Sequence, residues 1–151
     1  MSGTAKFPSL LFVYGTLMKG FHEEWQREAG AEFVTRGTIK ANLYDLGDYP
    51  GARQFIADRG GRVSGELYRL RDSASALRML DQYEEFFPRA PRRSLFIRKP
   101  VSVTLEDGRK KQAWAYLYNR PVAQARPIPR GRYGESVAAL RSSTSVGSHT
   151  P

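Results

Sequence analysis

One carboxylate in this chain sits where solubility does not explain it. Glu84 closes the segment Asp72 to Phe87, in which Asp72 or Ser73 can cap a helix that continues through Ala76, Leu77, Leu80 and Tyr83. At about 100° per residue, Ala76, Leu77 and Leu80 share one apolar stripe, and Glu84 falls inside it. Glu85 points elsewhere, beside Arg78. A carboxylate on the core side of a helix is costly unless it is paired or faces a polar cavity. Two readings follow. Either Glu84 is a proton-handling group whose pKa is raised by burial, or it lies in the last helical turn, fraying to solvent or pairing with Arg89, Arg92 or Arg93. A second candidate is the turn Tyr14-Gly15-Thr16-Leu17, directly after the apolar run Leu10 to Val13. Backbone N–H groups of a tight turn can hold an oxyanion or a carboxylate, and Gly15 permits close approach. Tyr14 equally suits a core position at a strand end. Cysteine is absent, which excludes a disulfide framework, thiolate metal sites and a cysteine nucleophile. His22 and His149 lack ligand spacing, so neither a metal nor a cofactor is expected.

These groups need elements to position them. Leu10 to Val13 reads as a buried strand, and Phe21, Trp25 and Ala29 recur at helical spacing before a stop at Gly30. Phe33 to Leu46 alternates loosely, and Gly47-Asp48-Tyr49-Pro50-Gly51 carries a loop signal. Arg53 to Ala57 and Arg62 to Leu70 flank Asp58-Arg59-Gly60-Gly61, which has the composition of a hairpin turn. A second hairpin is clearer: Val101, Val103 and Leu105 alternate with polar residues, Glu106-Asp107-Gly108 turns the chain, and Gln112 to Tyr118 returns. Tyr116 shares a strand face with Trp114 and Tyr118. The βα alternation of a doubly wound sheet is missing and no repeat is present, so a small α+β barrel is the expected fold class.

The length of 151 residues suits one domain, expected over 1–141, with the polar stretch 142–151 as a flexible tail. Hydrophobic residues at 40% and aromatics at 12% provide for a core. The start lacks a secretory pattern and Leu10 to Val13 is too short to span a bilayer, so a cytoplasmic protein without a membrane partner is expected. Net charge is +9, from 24 Lys plus Arg against 15 Asp plus Glu, and it concentrates in Arg89 to Lys99 and Arg120 to Arg141. No nucleic-acid-binding signature accompanies this basic surface, so nucleic acid is not the expected partner.

Taken in order, Phe12-Val13-Tyr14-Gly15-Thr16-Leu17-Met18, Tyr49-Pro50-Gly51, Val63-Ser64-Gly65-Glu66-Leu67-Tyr68 and Leu80-Asp81-Gln82-Tyr83-Glu84 form a recognisable series. Arg98-Lys99-Pro100-Val101-Ser102-Val103 and Ala113-Trp114-Ala115-Tyr116-Leu117-Tyr118 complete it. The series, spread over about residues 9–119, resembles the γ-glutamylcyclotransferase-like superfamily, which includes the γ-glutamylamine cyclotransferases of the AIG2-like family. The resemblance implies a closed or partly open mixed β-barrel with flanking helices. It further implies an intramolecular reaction that releases 5-oxoproline from a small γ-glutamyl amide, with Glu84 as general acid and base. Tyr14, Gly15, Thr16, Leu17, Pro50, Gly51 and Tyr116 are the expected substrate-binding residues. Pro50 and Gly51 shape a cavity rim or a solvent loop, and Tyr116 lines the cavity or packs on the barrel exterior. Phe96 stands where relatives often carry a tyrosine, and Phe86 to Arg93 is unusually basic and Pro-rich. Two other classes stand beside the enzyme: a noncatalytic barrel holding a small acidic ligand, and a basic nucleic-acid-binding domain.

Overall fold

A computed structural model of the chain describes residues 9–15, 24–47, 49–54, 61–122 and 125–128. Thr16, Leu17, Phe21, most of the expected turn at Asp58 to Gly61, the Arg-rich stretch beyond Ile128 and the tail at 142–151 lie outside them. Strands β1 (Leu10–Val13), β2 (Ala31–Lys40), β5 (Arg62–Leu70), β6 (Phe96–Leu105) and β7 (Lys110–Tyr118) close a barrel in the order β1-β5-β2-β6-β7. All neighbours are antiparallel except β1 and β7, whose parallel pairing at Leu11 and Trp114 closes the ring and makes the barrel mixed. Short strands β3 (Asn42–Asp45), β4 (Pro50–Arg53) and β8 (Arg126–Pro127) form a second sheet, ordered β4-β3-β8. Helix α1 is Glu24–Ala29 and helix α2 is Ser73–Tyr83.

Side-chain alternation divides the core in two. One face of the barrel strands sends Phe12, Tyr14, Ile39, Val63, Leu67, Val101, Val103, Ala113, Ala115 and Leu117 into a common interior cluster. The opposite face presents Leu11, Val13, Tyr68, Leu70, Phe96 and Tyr116, and these are covered by Trp25 and Ala29 of α1 and by Ala76, Leu77 and Leu80 of α2. The apolar stripe of α2 read from its spacing is thus the stripe that packs on the outside of the barrel. Asp72 caps the helix as expected, its Oδ1 accepting from the Ser75 amide at 3.2 Å.

Two strand expectations are corrected. Pro50 and Gly51 are not loop residues: both are buried in β4, and Pro50 opens a strand at the sheet edge, where the missing N–H is tolerated. Among the described residues, no pairing joins the start of the segment Arg53 to Ala57 with Arg62 to Leu70. β4 folds back on β3, pairing Arg53 with Asn42 and Gly51 with Tyr44, whereas β5 pairs with β1 and β2. The turn is made one connection earlier, by the Leu46 amide donating to the Tyr49 carbonyl at 3.0 Å. The later hairpin forms as read, with β6 and β7 paired from Phe96–Tyr118 to Thr104–Lys110.

Candidate active site

Helix α2 ends at the residue that spacing singled out. Glu84 is its C-cap, with its amide still donating to Leu80 O at 2.9 Å, and the next residue, Glu85, turns the chain at φ +57°. Two further hydrogen bonds close the end, Glu85 N to Gln82 O at 3.2 Å and Phe86 N to Asp81 O at 2.8 Å. This is a Schellman motif, built here without the usual glycine. It holds Glu84 on the barrel side of α2, half-buried, where it acts electrostatically on the Tyr14 and Tyr116 hydroxyls. Among the described residues no group hydrogen-bonds or ion-pairs with the Glu84 carboxyl, so Arg89, Arg92 and Arg93 do not neutralise it there. Desolvation without compensation pushes its pKa from the ordinary 4.5 up to about 8.

Both tyrosines facing this carboxyl stay protonated. Burial pushes Tyr14 far above its ordinary range, opposed by the hydrogen bond from Ala52 and reinforced by Glu84. Its hydroxyl donates to the Tyr116 carbonyl at 2.6 Å and accepts from the Ala52 amide at 3.1 Å, joining the end of β1 to β7 and β4. Tyr116 is shifted upward mainly by burial and then by Asp81, to which its hydroxyl donates at 2.6 Å. Tyr116 packs on the outer face of the barrel, between β7 and α2, which is also the side on which Glu84 lies.

Asp81 and Arg98 belong to the same cluster, although spacing did not single them out. Asp81 is buried one turn before Glu84, and both of its oxygens accept from Arg98, Oδ1 from Nε at 2.8 Å and Oδ2 from Nη2 at 3.1 Å. The Arg98 guanidinium also lies 4.5 Å from the Trp114 ring centre and 5.7 Å from that of Phe86. A signal existed: Asp81 follows Leu77 by four residues, and Arg98 follows Phe96 by two on a strand, so both fall on the faces that α2 and β6 turn to each other.

Gly15 and Gly51 have packing reasons to be glycine. A Cβ on Gly15 would come within 2.7 Å of Pro50 Cγ, and one on Gly51 within 2.7 Å of Leu46 Cδ1 and 2.9 Å of Tyr118 Cβ. Pro50 therefore seats β4 against the turn after β1, so the two expected binding segments are in contact. The cluster thus combines one poised carboxyl, two neutral phenols and a fixed Asp–Arg pair. Such a set can move a proton at Glu84 while its surroundings stay in one protonation state.

Comparison with known proteins points to one family and one fold. The family described as "Gamma-glutamyl cyclotransferase, AIG2-like" matches residues 11–135. The chain is 33% identical over 111 residues to the Gamma-L-glutamyl-butirosin B gamma-glutamyl cyclotransferase of Niallia circulans, covering 73% of this chain and 67% of that protein. Among solved structures, YkqA from Bacillus subtilis superposes with a TM-score of 0.65 at 26% identity over 89% of this chain, which spans 42% of YkqA. An AIG2-like protein from Mus musculus shares the fold with a TM-score of 0.62 at 22% identity, over 84% of this chain and 95% of its own.

Proposed function

From the membership of this chain in the gamma-glutamyl cyclotransferase, AIG2-like family of enzymes, we propose that it cyclises a small γ-glutamyl amide to 5-oxoproline and a free amine, with Glu84 carrying the proton. The α-amine of the γ-glutamyl group is already in the molecule and can reach the γ-carbonyl to close a five-membered ring. Its high effective molarity makes an enzyme nucleophile unnecessary. Glu84 as carboxylate takes one proton from the substrate ammonium. The freed nitrogen pair attacks the γ-carbonyl carbon, Glu84 returns that proton to the amide nitrogen as the old C–N bond breaks, and the surplus proton of the ring nitrogen passes through the same carboxylate to the departing amine, which leaves as an ammonium ion. Atoms and protons balance with no cofactor in the scheme.

The observation that carries this reading is the Glu84 carboxyl, without a partner among the described residues and raised to about 8 beside two protonated phenols. A structural acid would be paired, whereas a shuttle needs a proton affinity close to that of the amine it serves. In this scheme the segment Tyr14-Gly15-Thr16-Leu17 holds the substrate carboxylate and the developing oxyanion. Pro50 packs against Gly15, and Gly51 seats β4 on Leu46 and Tyr118. Tyr116, its hydroxyl held by Asp81, offers its ring as a wall.

The test is release of 5-oxoproline from a panel of γ-glutamyl amino acids, γ-glutamyl amines and glutathione, run beside Glu84→Gln. The expected result is turnover on at least one member, reduced at least 10³-fold in the variant, roughly the scale of a general acid–base contribution. Turnover that survives in Glu84→Gln would assign the proton transfer elsewhere.

A further inference from the structure

The chain does not leave Glu84 by a simple turn. From Phe86 to Ser94 it makes a loop whose ends meet where the Leu95 amide donates to Glu85 O at 3.0 Å, one residue from Glu84. The loop is fastened. The Phe87 amide donates to Ser94 Oγ at 2.7 Å, and Ser94 is fully buried beneath it. From the following strand end, the Asn119 side-chain amide donates to Pro91 O at 3.1 Å and to Ser94 O at 3.0 Å. The Arg120 guanidinium adds bonds to Ser94 O at 2.7 Å and Arg93 O at 3.2 Å. Every anchor is thus spent on backbone or on a buried hydroxyl. What the loop leaves outward is Arg89, Arg92 and Arg93, all exposed, with no carboxylate paired to any of them among the described residues. Phe87 is 46% exposed beside them, and Tyr83, one residue before Glu84, is 53% exposed.

Three exposed guanidiniums on one fixed loop, with no carboxylate paired to them among the described residues, repel one another. We propose that this loop is the leaving-side subsite of the reaction centred on Glu84, and that it selects γ-glutamyl amides whose amine portion carries a carboxylate or phosphate. The proposal rests on the cyclotransferase reading for the placement of the scissile bond at Glu84. The γ-glutamyl half is the common part of all such substrates. The departing half is the variable part, and it must lie on the side of Glu84 to which the returned proton goes. Arginine suits both anions, because its planar fork meets a carboxylate or phosphate with two parallel hydrogen bonds. Phe87 and Tyr83 supply apolar contact for the carbon skeleton between the amide nitrogen and the anion. A leaving side bearing several positive charges is repelled by the same loop, so such substrates are disfavoured.

The experiment compares four amides that share the γ-glutamyl half: γ-glutamylglutamate, γ-glutamyl-O-phosphoethanolamine, γ-glutamylbutylamide and γ-glutamylputrescine. Turnover is measured with the wild-type chain and with the triple variant Arg89→Ser, Arg92→Ser, Arg93→Ser. Affinity is measured by calorimetry on Glu84→Gln protein with and without the triple change. One or both anionic amides are expected to exceed the neutral one about tenfold in kcat/KM and in affinity, with the putrescine amide weakest. Each exposed contact is modest and screened, so the preference should shrink severalfold between low and high salt and collapse toward one in the triple variant. The glutamate and phosphoethanolamine arms tell a carboxylate site from a phosphate site. Charge-dependent affinity lost in the triple variant, but without turnover of any amide, would support the subsite and remove the cyclotransferase reading. Turnover without charge preference, or a preference unchanged in the triple variant, would overturn the subsite and leave that reading standing. The absence of both turnover and binding would overturn both.

Discussion

In the proposed reaction Glu84 and the substrate amine share one proton, and this sets the expected pH behaviour. The α-amine of a γ-glutamyl group sits beside a free α-carboxylate, which holds its proton above the about 7.7–8.0 of a chain N-terminus and so above the value of about 8 to which burial raises Glu84. With two protons on the pair there is no base, and with none there is no acid. We therefore expect kcat/KM to be bell-shaped with its maximum above pH 8, between the two values, and Glu84→Gln to leave only residual activity without the bell. Stability follows the same group with a definite sign. The folded form holds its proton up to about 8 and the unfolded form only to about 4.5, so the folded state binds more protons between those values. Its contribution is fully present below 4.5, is lost as pH rises toward 8, and is flat above. Thermal melts should show Glu84→Gln gaining on wild type by a few degrees (about 2–4 °C per kcal/mol for this chain length) between pH 5 and pH 8.5. Asp81 responds in the opposite way to loss of charge. Asp81→Asn leaves Arg98 with at most one good bond and should cost about 2–3 kcal/mol in denaturant melts, at the lower side for a pair still touching water. Glu84 was legible in the sequence because helical spacing alone places it on the barrel side of α2. Asp81 lay on the same stripe, but its role needed Arg98, and nothing local says which helix β6 will face.

At the scale of elements, the end of α2 is the part most constrained by its task. The Schellman motif asks for a residue at positive φ, and Glu85 meets it at +57° where glycine would do so without strain. Its side chain is exposed and unpaired among the described residues, so replacement costs no contact there. Glu85→Gly should stabilise the protein by up to about 1 kcal/mol, the strain relieved less the extra freedom of the unfolded chain. The measurement is the urea midpoint at constant slope. A loss of stability would mean that the Glu85 side chain does more at this corner than its exposure indicates. The start of α2 at Asp72 and the β6–β7 hairpin were legible because capping and alternation are local rules. The pairing of β4 was not. Asp58 to Gly61 has the composition of a hairpin turn, yet its flanks pair elsewhere, because Gly51 allows β4 to settle against Leu46 and Tyr118 and no other residue fits that gap. Turn composition reports that the chain bends, and the partner is chosen by long-range packing.

For the whole molecule, the question is how a barrel and a separate short sheet come to share one site. The sequence made an α+β barrel legible by excluding a doubly wound sheet, but the closing pair β1 and β7 joins residues about a hundred positions apart and is parallel, so no local pattern announces it. The join between barrel and sheet runs through one hydroxyl. Tyr14 OH receives the Ala52 amide of β4 and donates to the Tyr116 carbonyl of β7, so it ties the end of β1, the sheet edge and β7 together. Tyr14→Phe keeps the ring in the interior cluster and removes only this node. Two buried backbone groups then lack a partner, at about 1–3 kcal/mol each. The expected loss is therefore about 2–6 kcal/mol in a denaturant melt, together with a fall in kcat/KM larger than that seen for a remote core change of equal cost. Leu67→Val, within the interior cluster and away from the sheet, supplies that comparison. If the two variants lose activity only in proportion to their stability, Tyr14 is a core residue with a polar tip. If Tyr14→Phe loses more, the hydroxyl transmits the position of β4 to the site, and the contact of Pro50 with Gly15 is the route by which it does so.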